Sequence, residues 1–331
     1  MKNILHKLFE HKYLEKEEAS EILKNIAQGV YNESQIASFM TVYLMRTISI
    51  EELCGFKDAL LDMCLSVDLD DYDAIDIVGT GGDEKNTFNI STAACFVVAG
   101  AGFKVVKHGN YGSSSISGAS NVMEQHGVKF TVDITKIRTS IEESNMAYLH
   151  APLFNPAMKV VAPIRRALAV RTFFNMLGPL VNPARPKHQL LGVYSLPLLR
   201  LYDYTYQSID TNYSIVHSLD GYDEISLTDR FKVATSDKEK IYTPEMIGLP
   251  TCKQEDIFGG NTKEEAATIF TNVLTNKATE AQKNVVVVNA AFAINTLDKS
   301  KTIEECIALA KESIESGSAL KCFNKFVSCN Q

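Results

Sequence analysis

Residues 76–102 read DIVGTGGDEKNTFNISTAACFVVAGAG, and the way this stretch changes character decides the fold. Ile75, Ile77 and Val78 end an apolar run with the character of a strand. Gly79-Thr80-Gly81-Gly82-Asp83 breaks it, Asn89-Ile90-Ser91-Thr92 supplies polar capping residues, and a small apolar helix runs from about Ser91 to Ala101, stopped by Gly100 or Gly102. A strand that runs through glycines into a helix start exposes several backbone N–H groups at one point. Glycine removes the Cβ atoms that keep a ligand away, and the helix N-terminus adds its dipole. The stretch reads as an anion site, phosphate first, or as a tight strand-to-helix turn. It is neither G-x-G-x-x-G, since the third glycine is absent, nor a Walker loop, since no Gly-Lys-Ser/Thr follows.

The architecture repeats outward from this point. Residues 1–65 carry helical patterns: Ala19, Ile22, Leu23 and Ile26 stopped by Gly29; Ile36, Phe39, Met40, Tyr43 and Leu44 after Ser34 as a cap; and Leu53, Phe56, Ala59 and Leu60 after the capping box Ser49–Glu52. The acidic segment 68–73 reads as a linker. Beyond it, apolar runs at 103–106, 128–132, 146–149, 189–194, 213–217 and 284–289 suit strands. Helical patterns at about 118–126, 133–144, 157–169, 196–209, 263–276 and 302–316 alternate with them, while 229–262 has little periodicity. Strands alternating with helices predict an α/β fold: a small all-helical N-terminal domain, 1–68, plus a larger domain, 74–331, with a mostly parallel sheet covered by helices.

With 331 residues, 45% hydrophobic and 22% charged, the composition is that of a soluble globular protein of about two domains. The chain has no apolar run of about 18 residues, and its first twenty residues lack the features of a signal peptide, so a membrane role is not expected and a cytoplasmic location is. Seven cysteines at 54, 64, 95, 252, 306, 322 and 329 form no C-x-x-C pair, which favours neither a disulfide framework nor zinc. The net charge of −7 opposes nucleic-acid binding, yet Ser144 to Tyr202 contains no Asp or Glu and seven Lys or Arg, including Arg165. That segment suits an anionic ligand or an acidic partner face.

Two further loops carry chemistry. Val106-Lys107-His108-Gly109-Asn110 leads into Tyr111-Gly112-Ser113-Ser114-Ser115-Ile116-Ser117-Gly118, again a strand ending in glycine and hydroxyl residues before a helix. Lys107 offers a cation, Asn110 an amide and the serines hydroxyls, a set that can hold a polyphosphate or sugar phosphate, or simply make a flexible loop. After the run 213–217 comes Asp220-Gly221-Tyr222-Asp223-Glu224. Adjacent carboxylates there suit Mg2+, which takes oxygen ligands and bridges to substrate phosphates, or are solvated loop acids.

In this order, GTGGD, NIST, KHGN, NPAM, RRALAVRTFFNMLGPLVNPA and DGYDEISLT resemble the anthranilate phosphoribosyltransferase family across most of the chain. The resemblance implies transfer of phosphoribosyl from phosphoribosyl pyrophosphate (PRPP) to anthranilate, a step of tryptophan biosynthesis. It implies PRPP binding by Gly79, Gly82, Asp83, Thr87, Asn89, Ile90, Ser91 and Thr92, and by Lys107, His108, Gly109, Asn110, Ser113, Ser114, Ser115 and Ala119. Ser91, Asp223 and Glu224 would serve Mg2+; Gly79, Asn110 and Arg165 would meet anthranilate, with Lys107, Asn110 and Arg165 as the catalytic set. The family also implies a homodimer formed through the helical domain, joined by a helical segment near 160–180. Tyr111, Ala119 and Asn155 depart from the usual KHGNRAVSS, SGSAD and HPAM, where Arg, Ser and His stand. A pyrimidine nucleoside phosphorylase shares the fold but lacks the Asp-Glu pair and the RTxFNxLGP run.

Overall fold

The structure, a computed structural model, describes residues 1–112 and 116–331; Ser113, Ser114 and Ser115 lie outside them. The chain divides into two compact units, residues 1–67 with 151–183, and residues 68–150 with 184–331.

The first unit begins with α1 (Lys2–Phe9), α2 (Lys16–Ala27), α3 (Glu33–Met45) and α4 (Ile50–Met63). Its centre is an aromatic cluster. Phe39, Tyr43 and Phe56 pack edge to face, and Phe173, from the returning segment 151–183, stacks on Phe56 at 4.7 Å between ring centres. The segment therefore completes the helical core rather than merely crossing it. A buried ion pair sits beside these rings. The Glu52 carboxylate is wholly buried and accepts from Arg46 Nη1 at 2.9 Å, from the amides of Leu14 and Ser49 at 3.0 and 2.9 Å, and from the Tyr43 hydroxyl at 3.2 Å.

The second unit starts with β1 (Ala74–Gly79), α5 (Ile90–Gly100), β2 (Lys104–Gly109), α6 (Ala119–Gln125), α7 (Ile134–Ser144) and β3 (Met146–His150). The chain then visits the first unit through α8 (Ala151–Phe154), α9 (Met158–Leu168) and α10 (Phe174–Leu177). It returns as β4 (His188–Gly192), α11 (Leu196–Tyr206), β5 (Asn212–Ser218), β6 (Phe231–Thr235), β7 (Glu239–Tyr242), α12 (Lys263–Leu274), α13 (Glu280–Leu297), α14 (Ile303–Glu315) and α15 (Ser318–Cys329). Among the described residues the sheet runs β3-β2-β1-β4-β5-β6-β7, parallel from β3 to β5 and antiparallel for β6 and β7. The order reverses between β1 and β4. A sheet of this kind opens a crevice beyond the carboxyl ends of its strands at that point.

Three sequence expectations are corrected. Residues 284–289, NVVVVN, are not a strand but the centre of α13, which starts with a Thr279–Gln282 capping box and lies buried against α5. A run of valines buried on all sides reads alike in either state, and the flanking capping box decides. Residues 128–132 form no strand. Asn32, not Ser34, caps α3, in a capping box with Gln35. The weakly periodic 229–262 contains β6 and β7, and α15 follows the last helix expected from the sequence.

Replacing Arg46 by Met leaves the buried Glu52 charge uncompensated. Chemical denaturation should show Arg46→Met destabilised by about 3–5 kcal/mol, and Arg46→Met/Glu52→Leu much less so.

Candidate active site

The site is built at the reversal of strand order. Gly79 ends β1, Gly192 ends β4, and the two pair directly. The Asp223 segment, on the loop after β5, lies across both. A Cβ on Gly79 would overlap the Asp223 carboxylate, and one on Gly192 would overlap the Asp223 carbonyl oxygen. Two glycines are thus required so that one acidic residue can reach the end of the sheet. The amide of Gly81 then donates to Asp223 Oδ2 at 2.6 Å. Gly81 and Gly82 hold φ of +64° and +73°, and Glu84 follows at +61°. No atom crowds Gly81, so there the left-handed backbone, rather than lack of space, demands glycine.

The acidic loop is fixed from behind by α13. Asn289 Nδ2 donates to the Ile225 carbonyl at 2.9 Å while its Oδ1 accepts from the Ile225 amide at 3.1 Å. Ser218 Oγ donates to the Glu224 carbonyl at 2.7 Å. With its backbone clamped, the loop turns Asp223 and Glu224 into the crevice. Asp83, its Oδ1 accepting from the Lys85 amide at 3.0 Å, hydrogen-bonds the Asp223 carboxyl group. Burial and the negative charge of Asp83 push Asp223 well above the usual carboxylate range, and the Gly81 amide only partly opposes them. Burial raises Asp83 as well. Glu224 is raised by burial and then by the charges of Asp223 and Asp83, and drawn back by the Ser91 amide and the Lys107 charge. Its Oε2 is buried without a hydrogen-bond partner.

Lys107 is not displayed on a loop. It lies within β2, 2% exposed, with Nζ donating to the Ile77 carbonyl at 2.5 Å, so its charge acts on the carboxylates from beneath the crevice. Asn89 occupies the N-cap position of α5, but its side chain does not cap: Nδ2 donates to the Ser117 carbonyl at 3.0 Å and Oδ1 is buried without a partner. At the start of α5 the Ile90 amide donates to the Phe88 carbonyl at 2.6 Å and the Ser91 amide to Glu224, which leaves the Thr92 amide for a ligand. His108 is buried, its amide donating to Asp76 Oδ1 at 3.3 Å.

Beyond Gly109, which lies too close to the Tyr148 hydroxyl to carry a Cβ, Asn110 is exposed. Asn121 Oδ1 accepts from the amides of Gly112 and Gly118 at 3.1 and 3.0 Å. Ala119 opens α6, and the Tyr111 hydroxyl donates to Glu124 at 2.6 Å. Arg165 belongs to the helical unit, on α9, where Nη2 donates to Asn175 Oδ1 at 3.2 Å and the guanidinium lies 5.7 Å from the Phe174 ring centre. The sequence reading missed Gly192, Asn121 and Asn289. Gly192 ends an apolar run as Gly79 does, so the same signal was present; the other two act through contacts distant in sequence.

The arrangement can place an anion at the start of α5 and a hard cation against carboxylate oxygens. Among the described residues no three His, Cys, Asp or Glu side chains form a closed metal cage. The oxygen-only donors and the orphaned Glu224 Oε2 still fit Mg2+, which binds through one or two carboxylates and completes its shell with water and phosphate.

Two family models cover nearly the whole chain: the helical bundle domain of a glycosyl transferase family matches residues 2–64, and its a/b domain matches 71–320. An anthranilate phosphoribosyltransferase of Bacteroides thetaiotaomicron is 69% identical over 330 residues, covering all of this chain and 99% of its own. The chain belongs to the anthranilate phosphoribosyltransferase family. As a member of that family it is an enzyme of the glycosyltransferase class. The family's Thermus thermophilus crystal structure superposes with a TM-score of 0.92 at 31% identity, covering 98% of both chains. The Saccharomyces cerevisiae enzyme in complex with PRPP and Mg superposes at 0.90 and 28% identity, and its complex with 4-fluoroanthranilate at 0.88 and 27%, each covering 98% of this chain and 96% of its own.

Asp223→Asn combined with Glu224→Gln should lower kcat/KM by about a hundredfold or more, because the charge that faces the cation is gone. Thermal unfolding of the substrate-free double variant should occur no lower than in the parent, since a buried like-charge repulsion is relieved. Parent-like turnover at ordinary Mg2+ would overturn the assignment of these two carboxylates.

Proposed function

We propose that the chain transfers the phosphoribosyl group of PRPP to the amine of anthranilate and releases pyrophosphate, in tryptophan biosynthesis. The observation that carries this reading is the crevice at the β1/β4 reversal, where the start of α5, its Ser91 amide on Glu224, adjoins the buried Asp223 and the half-buried Asp83 and Glu224. It is supported by family relatives that bind PRPP with Mg and an anthranilate analogue. The polar end of PRPP occupies the cradle formed by Gly79–Asp83, Thr87 and the Asn89–Thr92 helix start. Lys107 to Gly109 at the end of β2, the loop that follows them and Ala119 would bind its phosphates. Asp223, Glu224 and Ser91 would hold Mg2+, which when bound neutralises charge on the departing pyrophosphate.

The chemistry needs little covalent help. The bond from ribose C1 to the pyrophosphate oxygen breaks, a bond from the anthranilate nitrogen to C1 forms, and the amine loses a proton. Positive charge grows on the sugar and negative charge on the leaving group, so positioned amides and the Lys107 charge lower the barrier electrostatically. The aromatic amine is a poor nucleophile, and its placement in line with C1 matters most. Arg165 pairs with its carboxylate, with Asn110 and Gly79 as further contacts. A cysteine nucleophile is not used: burial pushes the Cys95 thiol, on the core side of α5, up to about 12.

The division of labour follows the two domains. The helical domain, 1–68 with the segment near 160–180, makes a homodimer, consistent with the exposed Phe9, Leu44 and Met45, and 74–331 performs catalysis. No helix among the described residues is long and apolar enough to cross a membrane.

Mixing the protein with PRPP, Mg2+ and anthranilate should abolish anthranilate fluorescence, and no loss would refute the reading. Lys107→Ala should chiefly raise the KM for PRPP and Arg165→Ala that for anthranilate, with direct titration to confirm that binding is being read. Both variants weakening the same substrate would overturn the division. Gly82→Val, forced into a left-handed backbone, should lose on the order of 2 kcal/mol or more of PRPP binding in calorimetry with Mg2+ present.

A further inference from the structure

The segment that joins the glycine turn to α5, Asn86-Thr87-Phe88, is edged by Phe258-Gly259-Gly260, from the stretch with little sequence periodicity. Thr87 and Phe258 form an isolated antiparallel bridge. The Gly259 amide donates to the Asn86 carbonyl at 2.7 Å, and Asn86 Nδ2 donates to the Gly260 carbonyl at 2.8 Å. The two backbones lie so close that a Cβ on Gly259 would come 2.5 Å from the Thr87 carbonyl oxygen and 2.7 Å from the Phe88 nitrogen. Beyond Gly260 the strip is tied down, since Glu265 of α12 accepts from the Asn261 amide at 2.6 Å.

We propose that Phe258–Gly260 is a positioning strap for the PRPP site, holding Asn86–Phe88 so that Thr87 and the start of α5, whose Ile90 amide donates to the Phe88 carbonyl, stay arranged for the ligand before it arrives. The proposal rests on the reading of PRPP as the ligand. Its physical basis is preorganisation. The neighbouring turn carries three residues in the left-handed region, one of them Glu84, and has no ladder of its own to keep it in place. Without an edge partner the segment samples other arrangements, and apparent affinity falls with the competent fraction. Gly259 is needed because any side chain there drives the two backbones apart, and Asn86 because its amide donates across the gap.

The test uses Gly259→Ala and Asn86→Asp in the full chain. With Mg2+ present, calorimetric titration should give a PRPP Kd raised about tenfold in each variant, the effect of one lost buried hydrogen bond, while kcat at saturating PRPP and the KM for anthranilate stay within about twofold of the parent. Amide hydrogen exchange over residues 86–90 should quicken in both. If both variants bind PRPP within about twofold of the parent, the strap only holds the fold and the proposal is overturned, whatever happens to the melting temperature. A parent that itself fails to bind PRPP refutes the reading of the ligand, and the positioning role with it, before any variant is compared.

Discussion

The active site depends on one close approach. Asp223 reaches the end of the sheet only because Gly79 and Gly192, paired at the ends of β1 and β4, leave room for its backbone and carboxylate. Those two strands flank the reversal of strand order, the point at which a sheet of this kind opens a crevice. A loop from β5 fills part of the opening with acid rather than with an apolar plug. The fold thereby carries a cluster of buried carboxylates at its one natural crevice, a costly arrangement unless a cation and a polyanion share the space.

The electrostatics of the site follow from that placement. Asp83, Asp223 and Glu224 are all pushed above their ordinary range because they lie together away from water, against the opposing pull of the amides of Gly81, Lys85, Ser91 and Asp223 and the charges of Lys85 and Lys107. Lys107 is buried with them instead of projecting into solvent, so it sets the potential of the crevice and is itself anchored on the Ile77 carbonyl. Asn289 of α13 secures the acidic loop through both backbone groups of Ile225. The long central helix is thus part of the site's support as well as the core.

Much of this was legible in the residues. Strand–glycine–helix transitions at 76–102 and 103–118, and the acids 220–224, lie where the pattern puts them, because local backbone needs and helix starts are written in short stretches. The helical bundle was equally legible from heptad-like spacing and capping boxes. The failures have two causes. Residues 284–289 look like a strand because a segment buried on every side loses its periodicity, and 229–262 gave no pattern because β6 and β7 are short and lie toward the antiparallel edge of the sheet.

The sequence by itself determined most of the helices and strands around the site, which loops are rich in backbone donors and acid, and which family the motifs resemble. Only the tertiary structure decided that Asp83 and Asp223, 140 positions apart, hydrogen-bond each other, that the side chain of Asn89 is spent on Ser117 and leaves α5 uncapped, and that Lys107 lies beneath the site. Local pattern reports a residue's own backbone and burial. The charge it meets, and the proton it keeps, depend on neighbours that come from distant strands.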